Sequence, residues 1–231
     1  MPQLIVFVTL LPLVFWGAYH YYKDRARPEP VRNLLICLGA GIVAAFLGRV
    51  LYLALDEIGL RYDAFELAET NRLALLGYAI AGIGFIEEFA KFLVFLLLVP
   101  RFTEFDEALD GIIYASFIAL GFATVENVHY LGYLDLQSSV ARAFASPMVH
   151  ILFASIWAYY TGCALLDGRH AGLVAAASLV IAVLLHGIYD FLVIAERASY
   201  GPAAALLILV VWLWRMQLIR NLQRAAAAAR D

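Results

Sequence analysis

Four stretches of the sequence set ionisable side chains inside apolar runs. They are "IEEFAK" with Glu87, Glu88 and Lys91, "TVENVHY" with Glu126, Asn127 and His129, "ASPMVHI" with His150, and "LLHGIYD" with His186 and Asp190. Residues three or four apart are neighbours on a helix, so Glu87 and Glu88 each reach Lys91, and His186 reaches Asp190. Glutamates and histidines with no serine nucleophile beside them suit activation of water. A carboxylate takes the proton as general base, and an imidazole or amide stabilises the oxyanion that forms on a peptide carbonyl. The same residue types fit a catalytic zinc, with Glu126, His150 and His186 as a candidate ligand set. No HExxH occurs, so such ligands must come from separate helices. Glu87 or Glu88 is then the base, Lys91 pairs with a glutamate, and Asp190 fixes the ring of His186. The bland reading of the first stretch is an ion pair that fixes packing, but one carboxylate suffices for that.

These groups sit in a chain built for lipid. Of its 231 residues, 64% are hydrophobic, against about 45–50% apolar residues in a typical soluble domain. Net charge is −3, too small to suggest a nucleic-acid partner or a basic membrane patch. Cys37 and Cys163 lie in apolar runs, with no CxxC spacing and no disulfide framework. The N-terminal stretch has no basic residues ahead of its apolar run and no small-residue cleavage site after it. It reads as a retained first span rather than a signal peptide. The sequence therefore predicts an all-α polytopic protein of the cell membrane, a single membrane domain over 1–231. Its bundle has about seven helices, at approximately 4–22, 33–55, 73–99, 109–131, 142–166, 172–194 and 202–220. Strands are excluded, because open sheet edges cannot face lipid and the runs lack barrel-like alternation. The polar loop "DEIGLRYDAFELAETNR" has room for an interfacial turn of helix.

The basic residues predict an orientation. Lys23, Arg25, Arg27, Arg32, Arg101, Arg169, Arg215, Arg220, Arg224 and Arg230 fall on one side, and Arg61, Arg72, Arg142 and Arg197 on the other. The richer side is cytoplasmic, which puts the N-terminus outside and the C-terminus inside. Glu87 and Glu88 then lie near mid-span, and Glu126, His150 and His186 in the outer half, so four spans present polar groups at one depth. Ionisable groups at such depth are costly and mark function. Gly84, one turn before Glu88, allows another helix to approach closely. His129 reads as interfacial, Asn127 as a helix–helix hydrogen bond, His20 and His170 as solvated, and Arg49 as snorkelling outward. Trp16, Tyr21, Tyr22, Tyr130, Tyr133 and Tyr200 read as interfacial anchors.

"EEFAK", "FATVEN", the histidine after a proline and "HGIYD" resemble the EExxK, FxxxEN, H and HxxxD motifs of the PrsW family of intramembrane proteases. That family is similar to the CAAX prenyl proteases and the wider bacterial Abi group. Each motif alone is weak, but the four in order, each on its own span, are specific. The resemblance covers 73–194, which it implies is a catalytic four-helix core. It implies a membrane endopeptidase whose partners are lipid and a single-span membrane protein, in bacteria typically an anti-sigma factor cut at site 1. The prenyl proteases carry FxxxH where this chain has Glu126, so their histidine role does not transfer directly, and His150 fills the gap from the fifth span. Glu126, His150 and His186 complete the site as polarising groups or metal ligands. Two rivals remain: a proton-coupled transporter, which buried Glu/His chains also suit, and an inactive scaffold. The sequence has neither repeated halves nor a Gly/Pro-broken helix pair, which speaks against the transporter.

Overall fold

The structure, a computed structural model, describes residues 2–25, 27–168, 170–195 and 200–228, and the regular elements in them are helical. Arg169, Arg197 and Arg230, used above for orientation, lie outside the described residues. The helices are α1 (Pro2–Lys23), α2 (Val31–Glu57), α3 (Ala64–Thr70), α4 (Arg72–Tyr78), α5 (Phe85–Leu98), α6 (Ala108–Tyr130), α7 (Leu136–Asp167), α8 (Ala171–Ile194) and α9 (Tyr200–Ala228). The short α3 fills the polar loop, started by Asp63, whose side chain accepts from the backbone N–H groups of Phe65 and Glu66. α7 begins earlier than its apolar run, because Asp135 caps it by accepting from the Ser138 N–H at 2.9 Å. α9 continues past 220 through an Ala-rich tail of high helix propensity. Among the described residues, α2, α6, α7, α8 and α9 are each long and apolar enough to cross a membrane. The chain is a multi-pass membrane protein.

α6 is the axis of the bundle. Every residue from Leu109 to Ala123 is buried, with α2 and α7 as its main neighbours and α1 and α9 further round. α2 crosses it backbone to backbone. A Cβ on Gly41 would lie 2.0 Å from the Ile118 carbonyl oxygen, and one on Gly121 would lie 2.1 Å from that of Leu38. In lipid, where no hydrophobic drive separates helix from solvent, such close approach supplies the packing energy.

The third apolar run is not a single α-helix. Between α4 and α5 the chain makes a π-helical turn, Ala79–Gly84, a rare conformation that shifts the register of the following residues and is frequent at functional sites. α8 lies directly on it. A Cβ on Gly84 would be 2.8 Å from the Val183 carbonyl oxygen, and one on Gly187 would be 2.5 Å from Ile80 Cα. The close approach expected at Gly84 is therefore present, with Gly187 as its counterpart, and it brings His186 over the first turn of α5.

Three residues assigned to the water interface are interior. Trp16 is buried and donates to the Phe144 carbonyl at 3.0 Å, tying α1 to α7. Arg215 is fully buried on α9, its Nε donating to Ser155 Oγ at 2.7 Å and its Nη2 to Ser116 Oγ at 3.0 Å and His20 Nδ1 at 3.2 Å. His20 is buried with it. The reason is the same for all three: they sit on helix faces that pack inward, and distance from a loop does not reveal the face. His129, His170 and Arg49 are exposed, as expected.

Candidate active site

Past the π turn, the first two turns of α5 carry Glu87, Glu88 and Lys91 into the bundle, all buried. Glu88 Oε1 accepts from Lys91 Nζ at 2.5 Å and from His186 Nδ1 at 2.7 Å, and Oε2 accepts from Trp157 Nε1 at 2.8 Å. Glu88 is 0% exposed, so it is enclosed by donors from α5, α7 and α8. Lys91 also lies 3.1 Å from His150 Nδ1 and over the ring of Phe122, which gives the phenylalanine of "FATVEN" a cation–π role.

Pro147 sets up the α7 side. It has no N–H to give the carbonyl of Ala143, four residues back. Asn127 Nδ2 donates to that carbonyl at 3.4 Å, so α6 satisfies the acceptor that the proline orphans, as a membrane interior requires. Arg142, the residue before Ala143, donates from Nη2 to Glu126 Oε1 at 2.8 Å, while His150 Nε2 meets Glu126 Oε2 at 2.6 Å.

Hydrogen-bond chemistry then fixes both tautomers. Glu126, paired with Arg142, accepts, so His150 donates from Nε2 and keeps its lone pair on Nδ1. Glu88, paired with Lys91, accepts, so His186 donates from Nδ1 and keeps its lone pair on Nε2. Both of these ring nitrogens lie near Glu87, whose Oε2 is 3.9 Å from His150 Nδ1 and 3.8 Å from His186 Nε2, while His150 Nδ1 is also within 3.1 Å of Lys91 Nζ. Donor atoms of Glu87, His150 and His186 lie within 4.8 Å of one another, a grouping able to hold a metal ion. Tyr52 of α2 donates to Glu87 Oε1 at 3.3 Å, leaving Oε2 for the centre. Asp190 Oδ2 is 3.6 Å from His186 Nε2, and it is buried with no hydrogen-bond partner.

The structure thus gathers Glu87, Glu88, Lys91, Glu126, His150, His186 and Asp190 into one cluster. It places Glu126 behind His150, and Glu88 rather than Asp190 on Nδ1 of His186. Sequence reasoning missed Trp157, Tyr52 and Arg142 as members. Arg142 had a signal, being a basic residue at the depth of Glu126. An indole or phenol in an apolar run has none.

A buried Glu/His centre shared by several membrane helices is compatible with a membrane-embedded hydrolase and with a bound metal. The comparisons with known proteins agree. A family model described as "PrsW family intramembrane metalloprotease" matches residues 29–216. "Protease PrsW" of Clostridioides difficile (strain 630) is 33% identical over 91% of this chain and 87% of its own. "Protease PrsW" of Geobacillus kaustophilus (strain HTA426) is 31% identical over 98% and 94%, and that of Bacillus subtilis (strain 168) is 30% identical over 83% of each. No solved structure matches significantly. The chain belongs to the PrsW family and is an intramembrane protease.

Proposed function

We propose that the chain cuts a single-span membrane protein, a regulator of the anti-sigma-factor kind, at site 1. In this reading Glu87, His150 and His186 hold a zinc-like metal, and Asp190 receives the proton from water. The observation that carries the chemistry is the grouping of Glu87, His150 and His186, whose donor atoms lie within 4.8 Å of one another. The Asp190 oxygen 3.6 Å from His186 Nε2, buried without a hydrogen-bond donor, fits the same reading. A bound zinc supplies Lewis acidity that polarises a peptide carbonyl and makes water nucleophilic at neutral pH. The chain's own groups do the rest. Glu126 and Glu88 hold the two rings in one tautomer and orientation, as carboxylates behind metal-binding histidines do. Tyr52 restrains Glu87. Asp190 offers a buried carboxylate oxygen with an imidazole 3.6 Å away and no donor of its own.

A second reading rests on Lys91. Its ammonium already lies 3.1 Å from His150 Nδ1, and in a metal-free reaction Glu87 would be the base, with His186, as the imidazolium carrying a second proton on Nε2, polarising the carbonyl. Purified protein in vesicles separates the two. With a metal, about one equivalent copurifies, single-span candidates are cleaved, and a chelator stops turnover until metal is returned. Turnover that survives exhaustive chelation in metal-free protein sinks the metal reading.

The spans we propose are α1, α2, the α4–α5 rod, and α6 to α9, seven in all, with the N-terminus outside. Loss of Arg215 from the loop count leaves the charge bias intact. Reporter fusions at the C-terminus are expected to register cytoplasm; an external signal there would reverse the topology.

Gly187→Ala tests the helix contact that assembles the site. The added methyl meets Ile80 Cα and the Ala79 carbonyl, so α8 must move away from the π turn and take His186 with it. Displacements of about 1 Å cost on the order of 10²-fold in rate. Cleavage is expected to fall by that order, while Gly172→Ala, whose Cβ meets nothing, stays at wild-type rate.

A further inference from the structure

A second cluster of acidic groups stands apart from the proteolytic centre, where the turn after α1 meets the start of α6. Asp24, Glu107 and Asp110 each place a carboxylate oxygen within 4.8 Å of the others. Asp24 and Asp110 are 1% exposed, and Glu29 is buried beside them. Part of this has a local explanation. Glu107 and Asp110 form a capping box at the start of α6, and Asp110 Oδ2 accepts from the N–H groups of Asp106 and Glu107 at 3.0 and 2.8 Å. A capping box does not need Asp24, which comes from another element. Asp24 Oδ2 accepts from the Glu29 N–H at 2.7 Å, but Asp24 Oδ1 is buried with no hydrogen-bond partner.

The positive charge available is small. Arg27 reaches Glu107 Oε2 at 3.4 Å and Asp106 Oδ2 at 3.0 Å from an exposed position. It approaches Glu107 from outside and makes no ion pair with Asp24 or Asp110. Tyr114 donates to Glu29. An oxygen-only donor set with carboxylates from two elements, one of them holding an orphaned oxygen, is the chemistry of a hard divalent cation, not of zinc or copper.

We propose that Asp24, Glu107 and Asp110 form a structural site for a hard divalent cation, Mg²⁺ or Ca²⁺, which clamps the α1–α2 turn to the first turn of α6. Such a clamp anchors, at its far end, the same helix that carries Glu126 and Asn127 to the proteolytic centre. It does not depend on the roles proposed for that centre.

Thermal unfolding of the full chain in detergent tests it, with the protein carrying whatever metal copurifies and with Mg²⁺ or Ca²⁺ added at millimolar levels. Wild type is expected to show a saturable rise in Tm of about 4 °C or more. Asp24→Asn keeps the acceptor for the Glu29 N–H but removes a charge. It is expected to lose the rise, and to unfold without added cation no lower than wild type. Glu107→Gln serves the same purpose if Asp24→Asn fails to accumulate. His150→Ala, at the other centre, is expected to keep the rise. No cation-dependent shift in wild type overturns the site, and so does an equal shift in both acidic variants; either outcome means that shared protons, not a cation, satisfy the cluster.

Discussion

Glu87→Gln, His150→Ala and His186→Ala are each expected to lose both copurifying metal and essentially all cleavage, while Asp190→Asn keeps the metal and still loses about 10²–10⁴-fold in kcat. The split follows from which atoms converge. Glu87 Oε2, His150 Nδ1 and His186 Nε2 lie close together, so in the metal reading each removal takes away a ligand. Asp190 Oδ2 lies beside them with no partner, so its loss removes a proton acceptor and leaves the ligand set intact. Gln is close in size to Glu and keeps the acceptor for the Tyr52 hydroxyl, so folding is expected to survive. Metal analysis and cleavage of a single-span substrate on the same preparations read both quantities. If Glu87→Gln retains full metal yet is dead, Glu87 is the base rather than a ligand. If Asp190→Asn cleaves at wild-type rate, Asp190 is not the acceptor.

The sequence singled out the ionisable side chains that the structure brings together, but neither Trp157, Tyr52 and Arg142 beside them nor how they are arranged. Spacing put Lys91 one turn from Glu87 and Glu88, and the structure pairs it with Glu88. The choice between the two glutamates depended on what α7 and α8 bring, namely Trp157 and His186 on Glu88, and that is tertiary information. The same holds for His186: the i, i+4 spacing favoured Asp190 as its orienter, yet Nδ1 turns to Glu88 because Gly187 lets α8 sit on the π turn. Periodicity could not reveal that turn, since an apolar run of residues reads alike as α- or π-helix. The apolar runs themselves were legible, because lipid demands length and hydrophobicity of any spanning helix. Arg215 marks the limit of that logic. Its place near the C-terminal end reads as a loop charge, whereas hydroxyls from Ser116 and Ser155 accept it inside the bundle. Family membership removes the transporter from contention, which the buried Glu/His chain alone did not.

Lys91→Met is expected to destabilise the protein by about 3–5 kcal/mol, and a second change, Glu88→Gln, to recover most of that loss. Breaking a buried ion pair from one side leaves an uncompensated charge in a low-dielectric interior, which costs more than the intact pair contributes. Lys91 and Glu88 are both 0% exposed, so water cannot rescue the stranded carboxylate in the single variant. In the double variant the charge is gone, and Gln still offers an oxygen to Trp157 Nε1 or His186 Nδ1. Unfolding in mixed micelles for wild type, both single variants and the double variant gives the coupling energy directly. The recovered protein should not recover full activity. His186 is then held by a neutral acceptor instead of a carboxylate, and losing the carboxylate behind a metal-binding histidine typically costs about 10–100-fold in metal affinity or activity. Additive destabilisation, with the double variant weaker than Lys91→Met, would show that Lys91 acts through His150 and Phe122 and not through Glu88. Full activity in a stable Lys91→Met variant would remove Lys91 from the site altogether.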